Sequence, residues 1–318
     1  VPTAILPPDP EFGMYPPAKV IEAEIFSKLP SSFDRSDSPA EWVNVNLHGR
    51  KVTSFLEGPS FDRDGNLYVV DIPFGRLFRV TPGGEWSVVA EYDGWPNGSA
   101  IHKDGTVYIA DQKHGIVKID PKTGTVTPFL AHDHLEGFRG CNDLVFASNG
   151  DLYFTDQGQT GLQDPTGRVF RHRADGRLEK IVDFAPSPNG LALSPDEKTL
   201  WLCVTRANAV WRVPLLGDGR VTKVGTYVQL SGGMGPDGMA VDEQGGIAVA
   251  HVAAGNVWVF GRTGEPLYRI VSPTGGLFFT NVAFGGPENR YLYIVDSDTA
   301  TILRAELPVP GLKLYSHS

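Results

Sequence analysis

After residue 57 the hydrophobic and polar positions alternate with a period of two, and the alternation comes in a repeating unit. GPSFDRDGNLYVVD (from Gly58), GSAIHKDGTVYIAD (Gly98), NDLVFASNGDLYFTD (Asn142), NGLALSPDEKTLWLCV (Asn189), GMAVDEQGGIAVAH (Gly238) and NVAFGGPENRYLYIVD (Asn281) share one form. Each has a short apolar strand, a turn rich in Gly, Asp or Asn, and a longer strand ending in Asp or another polar residue. A third strand follows each time: GRLFRV (75–80), GIVKI (115–119), GRVFRH (167–172), AVWRV (209–213), NVWVF (256–260) and TILRA (301–305). A fourth follows most of them, as in WSVVA (86–90), VTPFL (126–130), LEKIV (178–182) and LYRIV (267–271).

Units of roughly 40–48 residues with four strands each predict an all-β, six-bladed β-propeller. Helical periodicity is nearly absent. The sixth unit lacks a fourth strand, because LPVPGLKLYSHS carries prolines that a ladder rejects. KVTSFL (51–56) stands before the first unit as the other fourth strands stand before theirs, so it is expected to complete the last blade and leave no open edge. Residues 51–318 would then be the propeller, and residues 1–50 an extension serving as wrap, lid or dimer contact.

In a propeller the innermost strand of each blade runs along the central channel. Aligned on Phe61, Ile101, Phe146, Leu193, Val241 and Phe284, the units share one polar position four residues earlier: Glu57, Asn97, Asn142, Asn189, Asp237 and Thr280. Taken singly, Pro-Asn-Gly (96–98, 188–190) and Pro-Asp-Gly (236–238) read as ordinary turns, and the sequon Asn97-Gly98-Ser99 likewise. Recurrence in register six times points instead to a ring of side chains around one axis, and Glu57 is no turn former. Carboxylates and amide oxygens suit a hard divalent cation such as Ca2+; Mn2+ or Zn2+ are the alternatives. His132 and His134 have metal-like spacing, but their loop is polar and reads as solvated surface.

Composition narrows the partners. With 318 residues, 41% of them hydrophobic and a formal charge of −9, the chain is long enough for a large core and poorly suited to nucleic acid. No apolar stretch approaches the ~20 residues that cross a bilayer. VPTAILPPDPEF at the start lacks the basic-then-apolar layout of a secretory signal. Cys141 and Cys203 make no disulfide framework and no zinc spacing, which suits buried thiols and a cytoplasmic location. A homodimer is compatible with all of this.

Five of the quoted stretches resemble, in order and spacing, the family of gluconolactonase, senescence marker protein and luciferin-regenerating enzyme. They are FLEGPSFD (from Phe55), GCNDLVF (Gly140), SPNGLALS (Ser187), GPDGMAVD (Gly235) and TNVAFGGP (Thr280), and the resemblance covers roughly residues 51–307. It implies one catalytic divalent cation held by Glu57, Asn142, Asn189 and Asp237, with Asp237 as general base. It also implies a lactone substrate, opened by water at the metal. Two departures bear on the substrate. Gly140 stands where many sugar lactonases have arginine, and His251 where many members carry an aromatic or amide nearby. Asn97, Asp143, Gln157, Gln159 and His251 are the expected substrate contacts, with Asp143 competing as an orienting group for a ligand. Asp71, Asp111 and Asp296 end second strands and read as ties between blades.

Two other functions fit the same residues. A phosphotriester or phosphofluoridate hydrolase would use the same cation on a phosphoryl oxygen. A non-catalytic binding propeller would hold a structural ion, although Glu57 and Asp237 argue against it. No G-x-S-x-G elbow occurs, and Cys141 has no paired histidine, so covalent catalysis is not expected.

Overall fold

The computed structural model describes residues 15–317; the opening VPTAILPPDPEF, and with it the judgement on a secretory signal, lies outside them. Six sheets stand in a ring, each with four antiparallel strands from the axis outward. The innermost strands are Leu56–Phe61, Pro96–Ile101, Cys141–Phe146, Pro188–Leu193, Gly235–Val241 and Phe279–Gly285, numbered here as blades 1 to 6. The core lies between neighbouring sheets. Tyr68, Val70 and Leu77 of blade 1, for example, pack on Ile101, Val107 and Ile109 of blade 2. Alternation with period two supplies the two apolar faces that each blade needs for such packing.

An N-terminal strand closes the ring, but it is Glu24–Lys28, which pairs antiparallel with Thr301–Glu306. Residues 51–55 carry no strand, and Leu56 already belongs to the innermost strand of blade 1. The correction has a geometric cause. The outer edge of a four-stranded blade lies ~14 Å from its inner strand at ~4.8 Å per strand. Other outer strands keep a few linker residues before the next inner strand, as between Ala185 and Pro188. KVTSFL ends on Leu56, which already opens the inner strand, whereas Glu24–Lys28 has a long connection behind it. Lys19–Glu22 adds a fifth, parallel strand to blade 5. Residues 19–28 of the extension are therefore woven into two blades.

The chain then crosses to the upper face, where the helix Glu41–Leu47 buries Trp42 and Val43 against Ile72, Phe55 and Trp95. Trp42 Nε1 donates to Gln112 Oε1 at 3.0 Å. Among the described residues no helix is long and apolar enough to cross a membrane.

At the lower face the C-terminal segment straps the channel. Leu312 N–H donates to the Val241 carbonyl (2.9 Å) in blade 5, and Arg63 Nε of blade 1 donates to the Ser316 carbonyl (2.7 Å). Between them the Tyr315 ring packs on His102 (5.1 Å) and Phe146 (5.4 Å) of blades 2 and 3. Above the strap lies an axial cavity of about 380 Å³, lined by all six inner strands and by Leu312 to Ser316.

The aspartates that end second strands are buried structural acids. Asp71 accepts from Ser54 Oγ (2.7 Å), Phe55 N–H (2.9 Å) and Arg76 Nε (2.8 Å). Asp111 accepts from Tyr92 OH (2.8 Å), and Asp296 from Thr274 Oγ1 (2.9 Å). Asp156 accepts from the Arg139 and Gly140 N–H groups (2.7 and 2.9 Å) and from Arg168 Nε (2.8 Å). Each fastens a chain segment entering the inner strand to the strand beside it.

Candidate active site

Every inner strand is irregular at the same place. The register slips between Glu57 and Ser60, Pro96 and Gly98, Cys141 and Leu144, Pro188 and Leu191, Pro236 and Met239, and Phe279 and Asn281. A bulge places two consecutive residues opposite one and re-aims their side chains. The Asn-Gly and Asp-Gly pairs that resemble turns are thus bulged strand residues, and Asn97 sits within a strand rather than at a turn. This is why a strand can open on polar groups. Glu57, Asn97, Asn142 and Asn189 are buried, and Asp237 is partly open.

Blade 6 departs from the alignment. Thr280 faces away: its hydroxyl donates to the Leu56 carbonyl at 3.1 Å and lies 3.0 Å from Ser297 Oγ. Asn281, the next residue, takes its place. Its Nδ2 donates to Glu57 Oε2 at 3.0 Å and reaches Asp143 Oδ2 at 3.4 Å. A sequence signal for this exists. The residue after each ring position is Gly58, Gly98, Asp143, Gly190, Gly238 or Asn281, and the two exceptions to glycine are the two that meet across the axis. A Cβ at Gly98 would lie 2.5 Å from Asp143 Oδ1, and one at Gly238 would lie 2.0 Å from the Asn281 carboxamide. The glycines leave the room that Asp143 and Asn281 fill.

Three carboxyls therefore crowd one axis, and each is harder to ionise than usual. Burial raises Glu57 well above the carboxylate range, and the charges of Asp237 and Asp143 add to the shift against the Gly58 N–H and Asn281 amide. Burial pushes Asp143 up to about 7, opposed by bonds from Leu144 N–H and Asn281. Burial pushes Asp237 up to about 8, with the Asp143 charge adding and the Asn189 amide and Arg206 opposing. Acids so placed want a proton or a cation among them. Among the described residues no three His, Cys, Asp or Glu side chains stand in a metal-holding group. The donor set is instead mixed, with the amides of Asn142 and Asn189 beside the carboxylates of Glu57 and Asp237. Oxygen donors of low total charge fit a hard divalent cation.

The remaining expected site residues divide. Asn97 is buried at the ring and its amide makes no side-chain hydrogen bond among the described residues. Gln157 bonds Asn142 and Ser187, and Gln159 Nε2 lies 3.3 Å from Asn46 Oδ1 of the upper-face helix. His251 is buried, with Nε2 3.0 Å from the Gly232 carbonyl, where it braces the loop leading to Asp237; burial lowers its pKa. Arg139 turns outward, to the Thr166 carbonyl (3.1 Å). His132 and His134 lie on a small exposed hairpin. Cys141 and Cys203 are buried free thiols whose pKa is raised well above the usual value by burial.

Residues 55–298 match the family described as SMP-30/Gluconolactonase/LRE-like region. The chain belongs to that family. It is 31% identical to Lactonase drp35 of Staphylococcus aureus (strain bovine RF122 / ET3-1) over 73% of each chain. A crystal structure described as a putative gluconolactonase is 25% identical, with a TM-score of 0.71 over 82% of this chain and 91% of the other. A calcium-binding protein, regucalcin, from Agrobacterium tumefaciens shares the fold at 22% identity, with a TM-score of 0.75 over 95% and 99%.

Proposed function

We propose that this family member is a lactonase whose site is the bulged ring of Glu57, Asn142, Asn189 and Asp237. The observation that carries the proposal is the gathering of Glu57, Asp143 and Asp237 on one axis, each with its ionisation suppressed by burial, and Glu57 and Asp237 further by the charge of neighbouring acids. Glu57, Asn142, Asn189 and Asp237 would hold one divalent cation, Ca2+ by their oxygen chemistry. When bound, such an ion supplies Lewis acidity to a carbonyl oxygen and makes a neighbouring water more acidic.

The chain's own groups do the rest. Asp237, partly open to the channel, accepts at its carboxylate the proton of the attacking water, and a nearby cation favours the ionised form this requires. The ring oxygen of the lactone leaves as an alcohol and takes a proton, so that ring opening yields a hydroxy acid. Asn97 offers its free amide to the substrate. Asn281 fixes the Glu57 carboxylate, and Asp143 sits behind the ligands as an orienting acid. Similarity to proteins named lactonase and gluconolactonase supports a lactone as substrate. The departure at Gly140 leaves room for lactones beyond the sugar type.

Hydrolysis of a panel of γ- and δ-lactones, with a phosphotriester in parallel, tests the proposal. The expected result is lactone turnover abolished by chelation and restored by Ca2+. Faster phosphotriester turnover would reassign the substrate. Cation binding that stabilises the fold without any turnover would make the propeller a binding protein.

A further inference from the structure

An asparagine is an ambiguous metal ligand, because its amide presents an oxygen at one end and an NH2 at the other. Only the oxygen can face a cation. Asn142 is held in one sense by a single contact: its Nδ2 donates to Gln157 Oε1 at 2.9 Å. Its Oδ1 makes no hydrogen bond among the described residues.

Gln157 is itself held at three further points, the first its N–H, which donates to the Gly140 carbonyl at 3.0 Å. Its Nε2 donates to Ser187 Oγ at 2.9 Å. Its carbonyl accepts from Thr160 Oγ1 at 2.6 Å, and that oxygen accepts in turn from Ser187 N–H at 3.1 Å. Thr160 and Ser187 are both buried. Ser187 stands two residues before Asn189, so the link joins the Asn142 strand of blade 3 to the Asn189 strand of blade 4. Both ends of the Gln157 side chain are thus engaged, which fixes the sense of its own amide.

We propose that Gln157 is a positioning residue: by accepting from Asn142 Nδ2 it turns the Asn142 oxygen toward the axis, and Ser187 and Thr160 keep it there. The inference rests on the proposed cation site. It assigns Gln157 a role other than substrate contact, and it makes the loop 156–161 part of the ion's support.

The test is Ca2+ titration by calorimetry on the purified full chain, compared across a double-mutant cycle of positions 142 and 157. Gln157→Leu removes the acceptor at similar volume and should weaken Ca2+ binding by about 10–100-fold, the range seen when groups behind metal ligands are lost. Asn142→Asp presents two equivalent oxygens and needs no orienting partner. In that background Gln157→Leu should change the affinity by less than about threefold, close to the additivity error. Ser187→Ala, which leaves Gln157 in place, should weaken binding in the same direction by a smaller factor. Equal losses from Gln157→Leu in both backgrounds would mean that Gln157 only stabilises the loop, and no loss in either would mean that Asn142 is oriented without it. Both results overturn the proposal. Absence of Ca2+ uptake by the unmodified protein would instead bring down the cation site itself, and this inference with it.

Discussion

Asp143 and Asn281, from blades on opposite sides of the ring, meet across the axis with the Asn281 amide 3.4 Å from the Asp143 carboxylate. The pair forms a floor beneath the four proposed ligands and a ceiling over the lower cavity. It exists because the neighbouring blades carry glycine at the same position.

Gly238→Ala tests that dependence. The new Cβ would lie 2.0 Å from the Asn281 carboxamide, a distance no side chain tolerates. Overpacking of this kind destabilises by about 1–3 kcal/mol. Urea denaturation should show a loss of that size, and Asn281→Gly in the same chain should recover most of it.

The three axial acids set an unusual pH dependence. A carboxyl whose pKa is raised on folding binds its proton more tightly in the native state than in the unfolded one. Its contribution is full below the unfolded pKa and is lost as pH rises through the folded value. Asp143 and Asp237 rise from 3.8 to about 7 and about 8, which places the window between roughly pH 4 and pH 8. Chelator-treated protein should therefore lose stability, on the order of a few kcal/mol, on going from about pH 5 to about pH 8.5. Addition of Ca2+ at the higher pH should restore it. Denaturation midpoints across that range, with and without the ion, provide the check.

Asp237→Asn keeps an oxygen at the ring but cannot take a proton. Loss of a general base lowers rates by roughly 10²–10⁴-fold. Lactone turnover should fall by that order, while Cys141→Ser, at a buried thiol, should leave most of it. Initial rates on one responsive lactone decide between them.

Tyr315→Ala removes the ring that packs on His102 and Phe146 under the channel. A buried aromatic truncated to alanine costs about 3 kcal/mol or more. Stability should drop accordingly, yet Ca2+ affinity should not move, since the substitution lies on the far side of the Asp143–Asn281 floor. Calorimetry on the variant separates the two effects.

The propeller was legible because one two-period pattern recurs six times, and the ring of polar positions followed from its register. The register could not say which of two bulged residues faces the axis. In blade 6 the short Thr280 finds the Leu56 carbonyl and the longer Asn281 reaches inward, a choice made by side-chain length and by partners distant in sequence. The closing strand was hidden for a similar reason. Nothing in EIFSK (24–28) distinguishes it from KVTSFL until the path to the outer edge of blade 6 is drawn. Gln157 reads as a rim residue from its position, and only its two partners reveal where it is employed.

The C-terminal strap has a kinetic corollary. The strap crosses the lower opening from blade 5 to blade 1, and the Asp143–Asn281 contact stands between it and the four proposed ligands. A lactone and the hydroxy acid it yields would then both reach the ligands from above and compete for them, so the hydroxy acid should inhibit its own formation competitively.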